Sequence, residues 1–204
     1  MFEITGERKK IIISGAGPAG LLMASLLLAR NKEEPTAKSV AYDVTLIDSR
    51  YDFGTFTKEE LKEKHRSWML VLGDHGLDAI RTLPTLYNDY VKGEGVILTD
   101  LLLYYAGKKQ MSANNQPPSG DTSTGPSENI VVDRNFIVAA LARYLNDNHK
   151  DDEHFTSMYS TKCQYVDYEN KQVLVRDVES KAEHYMPYDL LMAATECDPQ
   201  YVKL

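Results

Sequence analysis

The stretch "IIISGAGPAGLLMASLLLA", residues 11–29, decides the fold. A β-branched run typical of a buried strand leads into three glycines spaced G-x-G-x-x-G, and a segment rich in Leu, Ala and Met follows. In this pattern Gly15 permits the tight turn, Gly17 lets the backbone approach a pyrophosphate, and Gly20 lets the helix pack against the strand. The N–H groups at the helix start would point at the phosphates, where the helix dipole favours negative charge. The stretch therefore predicts a dinucleotide-binding turn.

The surroundings of this turn favour that interpretation over an ordinary glycine-rich turn. Residues 10–14 and 42–48 are predicted strands, and residues 18–31 are a predicted helix between them. The two strands of such a βαβ unit are parallel and its crossover is right-handed. Asp48 closes the second strand, where a carboxylate can accept both hydroxyls of an adenosine ribose and disfavours the 2′-phosphate of NADP. The alternative is that Asp48 is a plain strand-end residue, and at this point both FAD and NAD stay open as ligands.

The remaining segments continue the α/β pattern. The Pro/Gly/Ser/Asn-rich segment 111–129 predicts a surface loop, and Asp133 is a candidate N-cap for the helix after it. Residues 164–179 predict a β-hairpin around "ENK", within a hairpin layer from about residue 155 to 178. The other predicted elements are helices over residues 57–65, 76–83 and 134–147, apolar strands within 67–73 and 95–106, and a final buried strand over 188–194. For the two apolar segments, periodicity alone does not exclude a helix.

Composition excludes several classes of function. The formal net charge of -7 argues against a nucleic-acid binder, which needs clustered Lys and Arg. Cys163 and Cys197 are far apart without a CxxC pattern, and the five histidines lack ligand spacing, so no metal site is expected. The first ten residues lack the apolar core of a signal peptide, and no apolar run reaches about 18 residues. We therefore expect an intracellular, cytoplasmic protein without a transmembrane segment.

Four places in the sequence resemble the FAD-binding part of the single-component aromatic-ring hydroxylases, the flavin monooxygenases related to p-hydroxybenzoate hydroxylase. The glycine turn is the first, and "DSR" at residues 48–50 is similar to the family's acid-x-Arg after the second strand. "HRSWMLVLGDHGLDAI", residues 65–80, is similar to the family's arginine-led segment followed by a strand and a helix. "VVDRNFIVAALARYL", residues 131–145, is similar to its element in which an arginine begins a helix. Within the family, these segments look most like the kynurenine 3-monooxygenases.

The resemblance implies an α/β, Rossmann-like FAD/NAD(P)-binding fold with a parallel sheet, flanking helices and a β-hairpin layer, formed as one domain over residues 1–204. It implies FAD as the cofactor, NAD(P)H as the transient reductant and a small aromatic molecule as the substrate. Because the chemistry of such enzymes belongs to the cofactor, no catalytic residue is assigned. The implied cofactor-binding residues are Gly15, Ala16, Gly17, Pro18, Ala19 and Gly20 of the turn, Asp48 and Arg50 at the ribose, Arg66 near the flavin, and Arg134 at the ribityl–phosphate region.

The sequence also departs from this family. Asp100 falls near the position of the family's arginine for the substrate carboxylate, and an aspartate cannot hold a carboxylate at neutral pH. After the predicted strand, the chain reads "ATECDPQYVKL" without the family's Asp-Gly pair. The resemblance therefore implies an N-terminal, incomplete portion of the full fold that is inactive alone. The alternatives are a truncated or degenerate FAD-binding module without turnover, and another FAD- or NAD-linked reductase; the substrate and the oligomeric state stay open.

Overall fold

The computed structural model describes residues 8–33, 40–98, 100–105, 107–114 and 129–194. Short 3₁₀ and π-helical turns span Phe53–Thr55 and Leu86–Val91. The described helices and strands are, in chain order, β1 (Lys9–Ser14), α1 (Pro18–Asn31), β2 (Tyr42–Ile47), α2 (Lys58–Lys64), β3 (Met69–Leu72), α3 (Asp74–Arg81), β4 (Val96–Ile97), β5 (Asp100–Tyr105), β6 (Lys108–Asn114), β7 (Ile130–Asp133), α4 (Arg134–His149), β8 (Phe155–Met158), β9 (Thr161–Asp167), β10 (Gln172–Asp177), β11 (Glu183–Pro187) and β12 (Leu190–Ala193).

The chain divides into two compact units. The first unit comprises the chain up to Phe56 and from Leu141 onward, and the second runs from Thr57 to Ala140. The boundary at Leu141 falls inside α4. A single domain over residues 1–204 stays a prediction.

The first unit is built on a parallel four-stranded sheet in the order β12-β1-β2-β8. Ser14 at the end of β1 pairs in register with Ile47 of β2 and Ala193 of β12, and Ile47 pairs with Met158 of β8. The carboxyl ends of all four strands therefore meet at one edge, which is where open α/β sheets bind their ligands. α1 connects β1 to β2 and packs against both.

Burial explains why β1 is a central strand. Ile11, Ile12 and Ile13 are at most 2% exposed, so both faces of the sheet are covered at this strand. On the Ile12 face, the cover is a three-stranded antiparallel sheet in the order β11-β10-β9. The shared core consists of Ile12, Ile47, Val166, Val173, Val175 and Tyr188, with Met158, Cys163, Met186 and Leu191 packed around it.

The second unit contains an antiparallel sheet in the order β3-β7-β4 and the hairpin of β5 and β6. α2 begins with a capping box in which the Glu60 N–H donates to Thr57 Oγ1 at 3.2 Å and the Thr57 N–H donates to Glu60 Oε2 at 2.9 Å. At the start of α4, the Asn135 N–H donates to Asp133 Oδ1 at 2.7 Å, so the predicted N-cap is confirmed. α4 thus begins at Arg134 as the sequence predicts, α2 begins one residue later than predicted, and α3 begins two residues earlier than predicted, at Asp74.

The α/β fold class predicted from the sequence is confirmed. The segments 10–14, 42–48 and 188–194 form β1, β2 and β12 of one parallel sheet, with flanking helices and an antiparallel layer. In the second unit, the segment 67–73 forms β3, whereas the segment 95–106 forms two strands, β4 and β5, that belong to different sheets. Local apolar pattern was therefore sufficient for most elements.

Two expectations about the strands were wrong. The predicted loop over 111–129 overlaps β6, which continues to Asn114, and residues 115–128 lie outside the described part of the chain. The predicted hairpin layer from residue 155 begins at Thr161 instead, because residues 155–158 form β8 of the parallel sheet. β8 carries exposed Thr156 and Ser157, so it lacks the apolar run that indicates a parallel strand. The layer also gains a third strand, β11, that the sequence analysis missed.

Candidate dinucleotide-binding site

Two of the three motif glycines are required by the backbone itself. Gly15 has a φ of 115°, in the left-handed region that favours glycine. A Cβ atom at Gly20 would lie 1.9 Å from the carbonyl oxygen of Gly15 and 3.2 Å from the Cβ atom of Ala194. The Gly15 N–H donates to the Ile47 carbonyl at 2.7 Å and fixes the turn to the end of β2. Both positions therefore need glycine for reasons internal to the fold.

Gly17 differs from the other two. It is the N-cap of α1, with a φ of -79° and a ψ of 178°, extended backbone that any residue adopts. No side chain among the described residues caps the helix, Pro18 begins it, and its first turn carries no acidic residue. The N–H groups of Ala19 and Gly20 have no acceptor within the helix, because a helix leaves its first N–H groups unpaired. The start of α1 is thus suited to bind an anion.

Asp48 lies directly after β2, and its side chain is 4% exposed. Its Oδ2 accepts hydrogen bonds from the Ala16 N–H at 2.6 Å and from Arg50 Nη2 at 3.0 Å. Its Oδ1 accepts from the Arg50 backbone N–H at 2.8 Å and from Arg50 Nε at 3.0 Å. Each oxygen of a carboxylate offers about two lone-pair positions, so the chain itself fills the usual acceptor capacity of Asp48.

The Asp48–Arg50 pair is ionised at neutral pH. Burial raises the pKa of Asp48, but the hydrogen bonds and charge of Arg50, together with the Ala16 N–H, outweigh burial and leave this pKa below its ordinary value. The hydrogen bond to Asp48 in turn raises the pKa of Arg50. An ion pair without net charge therefore lies beside the glycine turn, and its Asp48 carboxylate ties that turn to the end of β2 through the Ala16 N–H.

Further polar and aromatic groups surround Arg50, and the sequence analysis missed them. The guanidinium carbon lies 5.3 Å from the ring centroid of Phe53. Tyr159 follows β8 and hydrogen-bonds Asp52; burial and the charges of Asp52 and Asp48 raise the pKa of its phenol. Tyr159 reaches this edge only because β8 pairs with β2, a long-range pairing that leaves no local signal in the sequence.

Arg66 and Arg134 belong to the second unit. Arg66 is exposed in the segment before β3. Arg134 begins α4, its N–H donates to the Trp68 carbonyl at 3.1 Å, and its guanidinium carbon lies 5.0 Å from the Trp68 ring centroid. Asp100 is the first residue of β5. The roles of Arg66 and Arg134 at a cofactor stay predictions.

The described residues contain neither a metal-binding cluster nor a membrane-spanning helix. No group of three or more His, Cys, Asp or Glu in these ranges is placed to hold a metal ion. Across the same part of the chain, none of the helices combines the length and the apolar character needed to cross a membrane.

No protein-family model matches the chain, and no curated protein matches its sequence. The fold is shared with flavin-dependent monooxygenases of known structure. p-Nitrophenol 4-monooxygenase PnpA from Pseudomonas putida DLL-E4 is similar with a TM-score of 0.66 at 14% identity, over 95% of this chain and 42% of that one. The flavin-dependent monooxygenase PieE, solved in complex with FAD and substrate, is similar with a TM-score of 0.62 at 15% identity, over 91% of this chain and 30% of that one.

A third similar structure is 2-methyl-3-hydroxypyridine-5-carboxylic acid oxygenase, with a TM-score of 0.58 and 16% identity. This likeness covers 91% of the present chain and 39% of the oxygenase. At identities this low the comparisons establish the fold alone. The chain spans less than half the length of each of these three structures.

Proposed function

We propose that this chain binds FAD at the carboxyl edge of β1 and β2 and forms the FAD-binding part of a flavin-dependent monooxygenase. The observation that carries this proposal is the start of α1. There, Gly17 has backbone angles that any residue adopts, so its conformation does not require glycine, and the helix start has no side-chain cap among the described residues. A close approach by an anionic ligand explains both features.

The turn and Asp48 divide the binding between them. The diphosphate is assigned to the N–H groups that follow Gly17, and the adenosine ribose is assigned to Asp48. Ala16 acts indirectly, because its N–H already donates to Asp48. Pro18 has no N–H and contributes the preset backbone of the first helical position.

When bound, FAD supplies the redox chemistry of a monooxygenase, with NAD(P)H as the reductant and an aromatic molecule as the substrate. The protein binds and orients the cofactor, and we assign no acid, base or nucleophile. Arg66 and Arg134 are proposed to contact the flavin end and the ribityl–phosphate region, as the resemblance implies. The segments look most like those of the kynurenine 3-monooxygenases, but Asp100, near the position of that family's carboxylate-binding arginine, argues against kynurenine as the substrate.

The proposal is tested by FAD binding to the wild-type chain and to Gly17→Ser, measured by flavin fluorescence and calorimetry. Serine is a better N-cap than glycine, so the helix start should keep its stability. The serine side chain would block the approach of a phosphate to the helix start, and its hydroxyl would accept a hydrogen bond from one of the unpaired N–H groups. We expect a loss of FAD affinity of about a hundredfold or more, which corresponds to two charged hydrogen bonds of about 1.5 kcal/mol each.

Gly93→Ser is the matched control, because nothing lies within 4 Å of a Cβ atom there. It should leave FAD affinity unchanged. Equal FAD affinity of Gly17→Ser and wild type, at equal melting temperature, would refute the site. If the chain binds NAD rather than FAD and Gly17→Ser abolishes that binding, the NAD-linked alternative holds. FAD binding without NAD(P)H oxidation would instead favour a module without turnover.

A further inference from the structure

Arg50 holds Asp48 in a particular geometry. Its Nε and Nη2 donate in parallel to Oδ1 and Oδ2, each at 3.0 Å, which is a two-point fork between a guanidinium and a carboxylate. The two remaining donors are backbone N–H groups, those of Ala16 and of Arg50 itself. The side chain of Arg50 thus supplies one hydrogen bond to each oxygen, and the backbone supplies the other.

A vicinal ribose diol makes the same pair of contacts, since its two hydroxyls donate side by side to the two oxygens of one carboxylate. We propose that the Arg50 guanidinium occupies the place of the ribose diol on Asp48, so that nucleotide binding is an exchange of Arg50 for the diol. This inference rests on the proposed function, because it concerns the ribose position of the same site. Arg50 is then the residue that sets how strongly the site distinguishes a ribose from a deoxyribose.

The surroundings of the pair permit this exchange. The Arg50 side chain is 37% exposed, whereas that of Asp48 is 4% exposed, so the cation can turn toward solvent while the carboxylate stays in place. After such a movement, Asp48 still accepts from the Ala16 N–H and from the backbone N–H at position 50, both fixed by the fold. Two acceptor positions open, one on each oxygen, and these match the two hydroxyls of the diol.

The exchange has a consequence for affinity. The gain from the two hydroxyl contacts is offset by the loss of two charged contacts to Arg50. Removing a ribose hydroxyl should therefore change affinity little in the wild-type protein. Removing the guanidinium should increase nucleotide affinity and should increase the loss of affinity that follows when a ribose hydroxyl is removed.

The test uses the full chain with FAD, ADP and 2′-deoxy-ADP as probes, measured by calorimetry. Arg50→Ala keeps the backbone N–H and removes the competing donors, so we expect FAD affinity to rise about tenfold, the equivalent of one charged hydrogen bond. We expect the affinity ratio of ADP to 2′-deoxy-ADP to grow from about twofold in wild type to about tenfold in this variant. Arg50→Lys keeps the charge without the fork and should give intermediate values.

Arg176→Ala is the matched control, because its side chain is 38% exposed, pairs with Glu183 at 3.8 Å, and lies in the same unit. Arg176→Ala should change neither the FAD affinity nor the affinity ratio of ADP to 2′-deoxy-ADP. If FAD binds but Arg50→Ala and Arg50→Lys weaken it, or leave the ADP to 2′-deoxy-ADP ratio unchanged, the exchange is refuted and the proposed function stands. If neither wild type nor the variants bind FAD, the proposed function fails and this inference fails with it.

Discussion

Gly20→Ala tests whether the glycine turn and α1 are packed as the structure describes. The added Cβ atom would lie 1.9 Å from the carbonyl oxygen of Gly15, well inside the 3.0 Å that real Cβ atoms keep. Because the obstructing atom is backbone, the turn or the helix must move by more than about 1 Å. The Cβ atom of Ala194, at 3.2 Å, limits movement on another side.

The expected loss follows from this geometry. Overpacking usually reduces the free energy of unfolding by 1–3 kcal/mol, and a backbone obstruction places Gly20→Ala at the upper end, about 3 kcal/mol. For a chain of this size, that loss lowers the melting temperature by roughly 6–12 °C. The measurement is thermal and urea unfolding followed by circular dichroism, without added nucleotide.

Gly76→Ala is the control, because Gly76 is the third residue of α3 as Gly20 is the third residue of α1. The nearest atom to its added Cβ is Leu72 Cδ2 at 3.7 Å, an ordinary contact. The better helix propensity of alanine should raise the free energy of unfolding by up to about 1 kcal/mol. A melting temperature of Gly20→Ala within error of wild type, with Gly76→Ala behaving as expected, would show that the close packing is absent.

Substitutions at three further positions test Asp48 and two structural features outside the site. Asp48→Ala should lower the free energy of unfolding in urea by about 2–4 kcal/mol, because it leaves the Ala16 N–H without its acceptor, and Asp48→Asn should lose less. The pKa of Asp48 in the folded protein lies below its ordinary value of 3.8. The stability that Asp48 contributes is therefore complete above pH 3.8 and is lost as the pH falls through the folded pKa. An acid titration of Asp48→Asn should not show this loss. Burial lowers the pKa of His149 below 6.5, so the stability that His149 contributes is complete above pH 6.5 and declines as the pH falls through the folded pKa. His149→Gln should flatten this part of the stability–pH curve. An unchanged slope would contradict the lowered pKa of His149. Thr57→Ala removes the side-chain half of the α2 capping box and should lower the free energy of unfolding by about 1 kcal/mol, whereas Thr57→Ser should preserve it.

The sequence was most informative where one short segment determines its own environment. Three consecutive isoleucines at residues 11–13 require cover on both faces, which is why β1 could be predicted as a buried strand. The Asp133 N-cap was equally readable, because a cap joins residues within three positions of each other. The capping box of α2 has the same short spacing but was not predicted.

Long-range pairing accounts for what the sequence analysis missed. β8 is short and exposes Thr156 and Ser157, and nothing local in it indicates that it joins β2 in a parallel ladder. The position of Tyr159 beside the end of β2 follows from that pairing, so it was missed as well. Asp48 lies directly after β2, as the sequence predicts, but its contacts with Ala16 and Arg50 depend on side-chain geometry that no sequence pattern specifies.

The three glycines of the motif therefore carry two kinds of information. Gly15 is fixed by its left-handed backbone and Gly20 by contact with Gly15, so these two would be needed even in a turn that bound nothing. Gly17 has an extended backbone compatible with any residue, at a position where serine or aspartate would cap the helix better. The absence of a capping side chain among the described residues leaves the Ala19 and Gly20 N–H groups without an acceptor within the helix. The motif thus predicts the fold through Gly15 and Gly20, and only through Gly17 does it indicate a ligand.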